Sequence, residues 1–338
     1  MIRLAMSRRC WHESRTSTPR WGLPRISTRS CTATCSRRSV WCSATLRLRT
    51  SCRPGARSTG TWPAPWSGSR TTCTHGSRWT RGDVWRDLVV CERVQQSPDT
   101  VAYGLARPDG TALPKALPGQ YISVQVRLAD GARQIRQYSL TRAPRQEQWG
   151  ITVKAVPAGT IAGVGIPAGE LSNSLHQNVF EGDYLSCSLP YGDLILHDRP
   201  DPLLLVSAGI GCTPIIGMLH YLARTNSDRD ITVLHADQSP GRHAHRRELS
   251  DLVEQTPSAR LIHWYEDLGV RSSTGTVRRG LIDLDDIPID PRVRAYLCGP
   301  PVFMDVVRQH LVNRHVPQAH VSYEVFGPDT WTPTAPAA

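Results

Sequence analysis

The run Leu203-Leu204-Leu205-Val206-Ser207 passes directly into Ala208-Gly209-Ile210-Gly211-Cys212-Thr213-Pro214, and this junction constrains the fold more than any other stretch of the chain. Consecutive apolar residues without alternation suit a strand covered on both faces. The glycines that follow let a backbone turn approach a ligand closely. Thr213 is placed to cap a helix and Pro214 to occupy its first position. Ile215, Met218, Leu219 and Leu222 then recur at helical spacing. Such a helix points the partial positive charge of its N-terminus at whatever the glycine loop holds. Pro214 stands where the dinucleotide pattern GxGxxG has its third glycine, so spacing alone leaves open a tight strand–helix turn without a ligand.

The pattern continues with a strand over Ile231–Ala236, a helical stretch near His245–Glu254 and a strand over Leu261–Tyr265. A strand over Arg294–Leu297 then meets Cys298-Gly299-Pro300, with a helix over Val302–Val312. Alternating strands and helices predict a parallel sheet with helices on both faces. Ligands of such sheets lie beyond the carboxyl ends of the strands. That edge would carry Gly209, Ile210, Gly211, Cys212, Thr213, Pro214, His235, Cys298, Gly299 and Pro300, the candidate residues for a nucleotide.

Upstream, six short β-rich stretches are punctuated by turn signals such as Pro108-Asp109-Gly110 and Pro118-Gly119. They cover Trp85–Arg93, Thr100–Arg107, Tyr121–Arg127, Ile135–Leu140, Gly150–Val156 and Tyr184–Leu189, and they predict an antiparallel six-stranded barrel. A short helix is expected to start at Ser172, capped by its hydroxyl. Arg136-Gln137-Tyr138-Ser139 ends one strand with a cation, an aromatic ring and a hydroxyl. A guanidinium can grip a pyrophosphate bidentately, a tyrosine ring can cover a planar heterocycle, and a serine hydroxyl can bond a ring nitrogen. Gly169-Glu170-Leu171-Ser172 sets a glycine turn before a helix start, where free backbone N–H groups favour a phosphate. Either motif alone could be a surface arginine or an ordinary cap; the pair is more specific.

Pro118-Gly119-Gln120-Tyr121, Ile135-Arg136-Gln137-Tyr138-Ser139-Leu140 and Val153-Lys154 together resemble the FAD-binding domain of the ferredoxin-NADP⁺ reductase superfamily, and most closely the reductase part of flavohaemoglobins. Gly-x-Gly-x-Thr-Pro after an apolar strand resembles the nicotinamide loop of the same family. Val321-Ser322-Tyr323-Glu324-Val325-Phe326-Gly327-Pro328 resembles its final strand, in which the aromatic ring lies against the flavin. The resemblance implies FAD held by Tyr121, Arg136, Gln137, Tyr138, Ser139, Lys154, Gly169, Leu171, Ser172, Val325, Phe326, Gly327 and Pro328. It implies Ser139, Tyr138, Glu324 and Cys298 at the reacting atoms, with Ser139 beside flavin N5 and Cys298 near the nicotinamide. Cys298 is equally a typical buried small residue. NADH is the expected nucleotide, with NADPH open, because Arg242, His243, Arg246 and Arg247 could meet a 2′-phosphate or form a solvated helix face. The natural acceptor would be a one-electron carrier, a haem or iron–sulfur protein.

The chain is strongly divided in composition. Residues 1–81 hold sixteen Arg, no Lys and a single acid, Glu13, a formal +15, whereas the whole chain is +11, so the remainder is near −4. The overall basicity therefore does not point the larger part toward nucleic acid. The first segment also holds six of the ten Cys and six of the ten Trp but no apolar periodicity, so it cannot offset its ordering entropy and is expected to be disordered. A secretory signal does not fit, since Met1–Arg9 leads into no apolar run. A transit peptide, an arginine-rich tail for polyanions and an out-of-frame reading of a GC-rich globin gene all fit the composition. His12 and His75 lie on no recognisable helix, so no haem is expected in this chain.

Expected domains are 82–196 for the flavin and 197–328 for the nucleotide, followed by a tail over 329–338. Downstream of the first segment only Cys91, Cys187, Cys212 and Cys298 remain, widely spaced, which suits a reduced cytoplasmic protein without structural zinc. No apolar run has the length of a membrane span. The alternatives are a reductase serving a separate globin or ferredoxin, and a non-enzymatic protein binding polyanions through the Arg-rich segment.

Overall fold

A computed structural model describes residues 84–128, 131–142, 147–161 and 164–326. The expectations for residues 1–81, for Gly327 and Pro328 and for the tail fall outside them.

The chain opens with β1 (Trp85–Ser97), β2 (Thr100–Ala106), β3 (Tyr121–Arg127), β4 (Arg133–Ser139), β5 (Trp149–Lys154), a hairpin of β6 (Gly159–Ile161) and β7 (Val164–Ile166), α1 (Glu170–Asn178) and β8 (Tyr184–Ser188). Six of these strands form one antiparallel sheet in the order β4-β3-β8-β1-β2-β5. Just beyond β4, the Thr141 N–H donates to the Gly150 carbonyl at 2.8 Å and the Gly150 N–H donates to that of Arg142 at 3.2 Å. This bridge brings the two edge strands together and curls the sheet into the expected barrel. Alternate residues point inward: Leu88 and Val90 of β1, Ile122 and Val124 of β3, and Trp149, Ile151 and Val153 of β5 share the core. The Tyr103 hydroxyl donates to the Leu175 carbonyl at 2.8 Å and ties α1 to the barrel.

The second half contains β9 (Leu203–Ala208), α2 (Cys212–Arg224), β10 (Ile231–Asp237), α3 (Arg246–Glu254), β11 (Ala259–Tyr265), β12 (Val277–Arg279), β13 (Arg294–Cys298), α4 (Pro301–Asn313) and β14 (Val321–Glu324). Its six strands are parallel in the order β12-β11-β10-β9-β13-β14. The unbroken apolar run of β9 serves two cores. Leu203 and Leu205 pack with α2 and α3, whereas Leu204 and Val206 pack with Met304, Val307 and Leu311 of α4. Helices thus cover both faces, as the alternation predicts. From β9 the chain adds strands outward to β12, then returns to lay β13 on the other side of β9. That reversal places a topological switch point between β9 and β13, the position where such sheets open a crevice.

Both expected helix starts require correction. The chain after β9 tightens into a 3₁₀ turn over Gly209–Gly211 that runs straight into α2, so Gly211 is the cap. Thr213 and Pro214 are the second and third helical residues, and the Thr213 hydroxyl turns back to donate to the Ile210 carbonyl at 3.0 Å. Likewise α1 begins at Glu170 behind Gly169. Ser172 caps nothing there; its hydroxyl donates to the Gly169 carbonyl at 3.1 Å. The β6–β7 hairpin and β12 are strands of three residues, too short to carry a recognisable pattern in the sequence.

Candidate flavin and nucleotide site

The two sheets meet through residues that strand register brings side by side. Ser139 ends β4 opposite Tyr121 of β3, and Glu324 ends β14 opposite Cys298 of β13. Cys298 in turn lies opposite Ser207 of β9, at the switch point. The Ser139 hydroxyl donates to the Glu324 carboxylate at 3.2 Å. Burial pushes the Glu324 carboxyl up to about 7, partly offset by this hydrogen bond. Burial, with Glu324 adding to it, also holds the Cys298 thiol well above its ordinary range, so it is a neutral thiol rather than a ready thiolate. Tyr121 feels the same carboxylate, and its phenol is raised by burial first and by Glu324 second.

On β4 the side chains alternate. Gln134, Arg136 and Tyr138 share one face and Ser139 takes the other. Gln134 donates to the Glu170 carboxylate, which places this face beside the start of α1. No side chain caps α1, and first-turn N–H groups have no intrahelical partner. Arg136 is exposed, its guanidinium donating to the neighbouring Ile135 carbonyl at 2.8 Å. Tyr138 is half-buried against the barrel core, which raises its phenol far above the ordinary value. A cation, a helix start with donors to spare and an aromatic ring thus line one strand face, a donor set suited to a dinucleotide with a planar ring. The exposed Gln137 lies on the other face of β4 with Ser139. Lys154 ends β5 opposite Thr100, close enough to Asp99 to help lower its carboxyl.

On the parallel sheet the glycines form a cradle. A Cβ at Gly211 would collide with the Cys298 carbonyl and Gly299, whereas Gly209, at φ +54°, faces open space. Gly299 is crowded less severely, by the Phe303 side chain and by Ala208. The two loops therefore touch backbone to backbone at the switch point, and a ligand can approach without meeting side chains. Pro300 caps α4. Val325 packs on the core of the α4 face, and Phe326 is 44% exposed beside β14.

Two residues expected at the nucleotide, His235 and Cys212, and one expected at the flavin, Leu171, turn their side chains away from any ligand. His235 is wholly buried, its Nδ1 2.9 Å from the Ser207 hydroxyl and its ring stacked on His243 at 3.8 Å, so it presents no face to a ligand. Cys212 is also buried, its thiol 3.6 Å from the Ala244 carbonyl, leaving only its backbone toward the loop. Leu171 turns its side chain into the barrel core, so only its backbone faces outward. Polar residues absent from the sequence motifs lie between the sheets: Thr152, His245, Glu248 and Arg142 form one polar chain. His245 and Glu248 are three residues apart, but their partners Thr152 and Arg142 come from the barrel, some hundred residues earlier, so no local pattern marks the chain as a unit.

Two family models match the chain, the oxidoreductase FAD-binding domain over residues 87–195 and the oxidoreductase NAD-binding domain over residues 205–309. The flavohemoprotein of Bordetella pertussis is 37% identical over 252 residues, which cover 72% of this chain and 61% of that one. The crystal structure of the flavohem-like FAD/NAD binding domain of nitric oxide dioxygenase from Vibrio cholerae is 35% identical, with a TM-score of 0.64, and the match covers 72% of this chain and 99% of that one. The chain belongs to the flavohaemoglobin reductase family. Flavohemoglobin from Malassezia yamatoensis, solved with bound FAD and heme, is 29% identical at a TM-score of 0.62 over 72% of this chain and 60% of that one. The chain thus spans about three-fifths of the length of the flavohemoproteins it matches. Its reductase module is an FAD- and NAD-binding oxidoreductase with the expected order of domains, barrel first and parallel sheet second. Among the described residues no helix is long and apolar enough to cross a membrane.

Proposed function

We propose that residues 82–196 hold FAD, residues 197–328 hold NADH, and the module moves electrons from the nicotinamide through the flavin to a haem protein. When bound, FAD supplies two-electron acceptance from a hydride donor and one-electron release to a carrier. The protein's own work is positioning and electrostatics. Arg136 and the first-turn N–H groups of α1, over Gly169–Ser172, grip the pyrophosphate, with Lys154 nearby as a further cation. Tyr121 and Tyr138 pack the ring, with Gln137 at its side. Ser139 and Glu324 meet the ring edge where a proton and a hydride must be accommodated. A carboxyl poised near neutrality beside a hydroxyl can hold or give up a proton there. Gly209, Ile210, Gly211, Thr213 and Pro214 seat the nucleotide's phosphates with the backbone of Cys212. Gly299 and Pro300 flank the nicotinamide beside the Cys298 thiol. Phe326, with Val325 behind it, covers the place the nicotinamide must enter and moves aside.

The single observation that carries this reading is the Ser139–Glu324 contact at the switch point, which joins the flavin strand to the nucleotide edge. NADH is favoured over NADPH because Asp237 ends β10 where a 2′-phosphate would be repelled. A haem acceptor is favoured because the relatives are flavohemoproteins. An anaerobic absorption spectrum of the purified chain before and after NADH tests the reading. Flavin bands that bleach with NADH and respond weakly to NADPH are expected; a chain that takes up no flavin would overturn it.

A further inference from the structure

His245 sits in the left-handed region at φ 58°, a conformation uncommon for non-glycine residues, and hydrogen bonds hold it there. Its N–H donates to the Gln96 side-chain oxygen at 3.0 Å, its Nε2 lies 2.7 Å from the Thr152 hydroxyl, and its Nδ1 lies 2.6 Å from a Glu248 oxygen. Gln96 and Thr152 belong to the barrel, whereas His245 and Glu248 belong to the nucleotide unit. The imidazole is buried, so both of its nitrogens are used across or along the interface.

The direction of these bonds follows from the carboxylate. Burial works against the charge on Glu248, but bonds from His220 and His245, and the nearby Arg142, carry its carboxyl far below the ordinary range. An ionised carboxylate only accepts, so Nδ1 of His245 carries a proton. With Nδ1 committed to Glu248, Nε2 and the Thr152 hydroxyl share the bond that crosses to the barrel. Glu248 also approaches the Arg142 guanidinium at 3.5 Å, and Arg142 pairs with Glu92 at 2.7 Å.

The placement of this contact gives it a role. Elsewhere the barrel meets the nucleotide unit where Ser139 bonds Glu324, where the Leu140 carbonyl lies against Gly217 of α2, and where Gly119, Leu194 and Leu196 pack on Met218 and the core of α2. Most of these contacts are apolar, and apolar packing is non-directional, so it fixes the tilt of one unit on the other less sharply than a directed hydrogen bond does. The His245–Thr152 bond supplies such a directed, buried contact between β5 and the start of α3. Thr152 lies two residues along β5 from the Gly150–Arg142 bridge, and Gln96 lies near the far end of β1. Arg242–Asp99 is the remaining ion pair on that side, but the Arg242 side chain is half exposed, and such pairs restrain little.

We infer that His245 is a positioning residue, locking the nucleotide-binding unit against β5 so that the nicotinamide meets the flavin at one fixed distance and angle. This rests on the proposed hydride transfer. The sharpest test is Thr152→Val, which keeps the volume and removes the one hydroxyl, with Thr152→Ser as rescue and His245→Ala as the larger lesion. In the FAD-loaded protein, Thr152→Val should slow flavin reduction by about 10- to 100-fold while leaving the NADH KM and the FAD content unchanged. The charge-transfer absorbance of the reduced protein with NAD⁺ should fall in parallel, and Thr152→Ser should restore both. Amide exchange over 96–99 and 245–248 should rise in Thr152→Val, a reading of the lock that needs no turnover. Native charge-transfer absorbance and native exchange in Thr152→Val would overturn the inference. Faster exchange in a protein whose wild type NADH cannot reduce would support the lock and instead sink the proposed hydride transfer.

Discussion

The Ser139 hydroxyl at the end of β4 donates to the Glu324 carboxylate at the end of β14, 185 residues later in the chain, at 3.2 Å. Because Glu324 titrates near 7 when folded against an ordinary 4.5, its stability contribution has a definite sign. Below pH 4.5 both folded and unfolded forms hold the proton. Between 4.5 and 7 the unfolded chain releases it while the folded protein keeps it, so stability falls as pH rises, by roughly 3 kcal/mol over the window. Glu324→Gln should remove that slope, and denaturant unfolding of both proteins from pH 4.5 to 8 reads the difference. Ser139→Ala, which deletes the bond that lowers this carboxyl, should move the midpoint of the window upward.

Arg136 is exposed and contributes little to the fold. Arg136→Ala should weaken FAD binding by about 100-fold while changing stability by no more than about 0.5 kcal/mol. Arg136→Lys should recover only part of the affinity, since an ammonium cannot grip a pyrophosphate bidentately. Fluorescence titration of the apoprotein with FAD, beside thermal unfolding, separates the two effects.

Gly211 and Gly209 stand two residues apart in the nucleotide loop but should respond differently. A methyl group at Gly211 meets the Cys298 backbone, so Gly211→Ala should cost about 1–3 kcal/mol and weaken NADH binding by at least about tenfold. Gly209→Ala meets open space and only the penalty of a positive φ, about 1 kcal/mol. Equal losses for the two variants in thermal unfolding would contradict this packing.

The stacked histidines predict the acid side of the stability profile. Burial, with His235 and Arg246 adding to it, takes His263 down to about 3, and burial with His235 and His263 takes His243 well below 6.5. From pH 6.5 downward the unfolded chain gains protons that the folded protein refuses, so stability falls by about 1.4 kcal/mol per pH unit for each ring. His263→Gln should lose less stability between pH 7 and 5 than the wild type; an unchanged acid slope in urea unfolding would refute the assignment.

Much of this architecture was legible because its signals are local. Alternation along β3 and the apolar run of β9 reflect which faces are covered, and those patterns survive in any sequence window of adequate length. The helix starts were misplaced because Thr213 and Ser172 have two uses for one hydroxyl, and both turned back to a carbonyl instead of capping forward. His235 was placed at the ligand edge from its position at a strand end; its burial depends on His243, which arrives from a separate loop. The His245–Thr152 contact joins residues 93 positions apart with nothing in either segment to announce it.

Synthesis runs from the N-terminus, so a ribosome completes every strand of the barrel before it makes any part of β14. Ser139 therefore emerges long before its carboxylate partner exists. During that interval the flavin strand can be finished while the nucleotide edge lacks Cys298 and Glu324. The nascent chain can acquire one cofactor's seat well ahead of the other's, and the electron path between them is assembled only when the last strand docks.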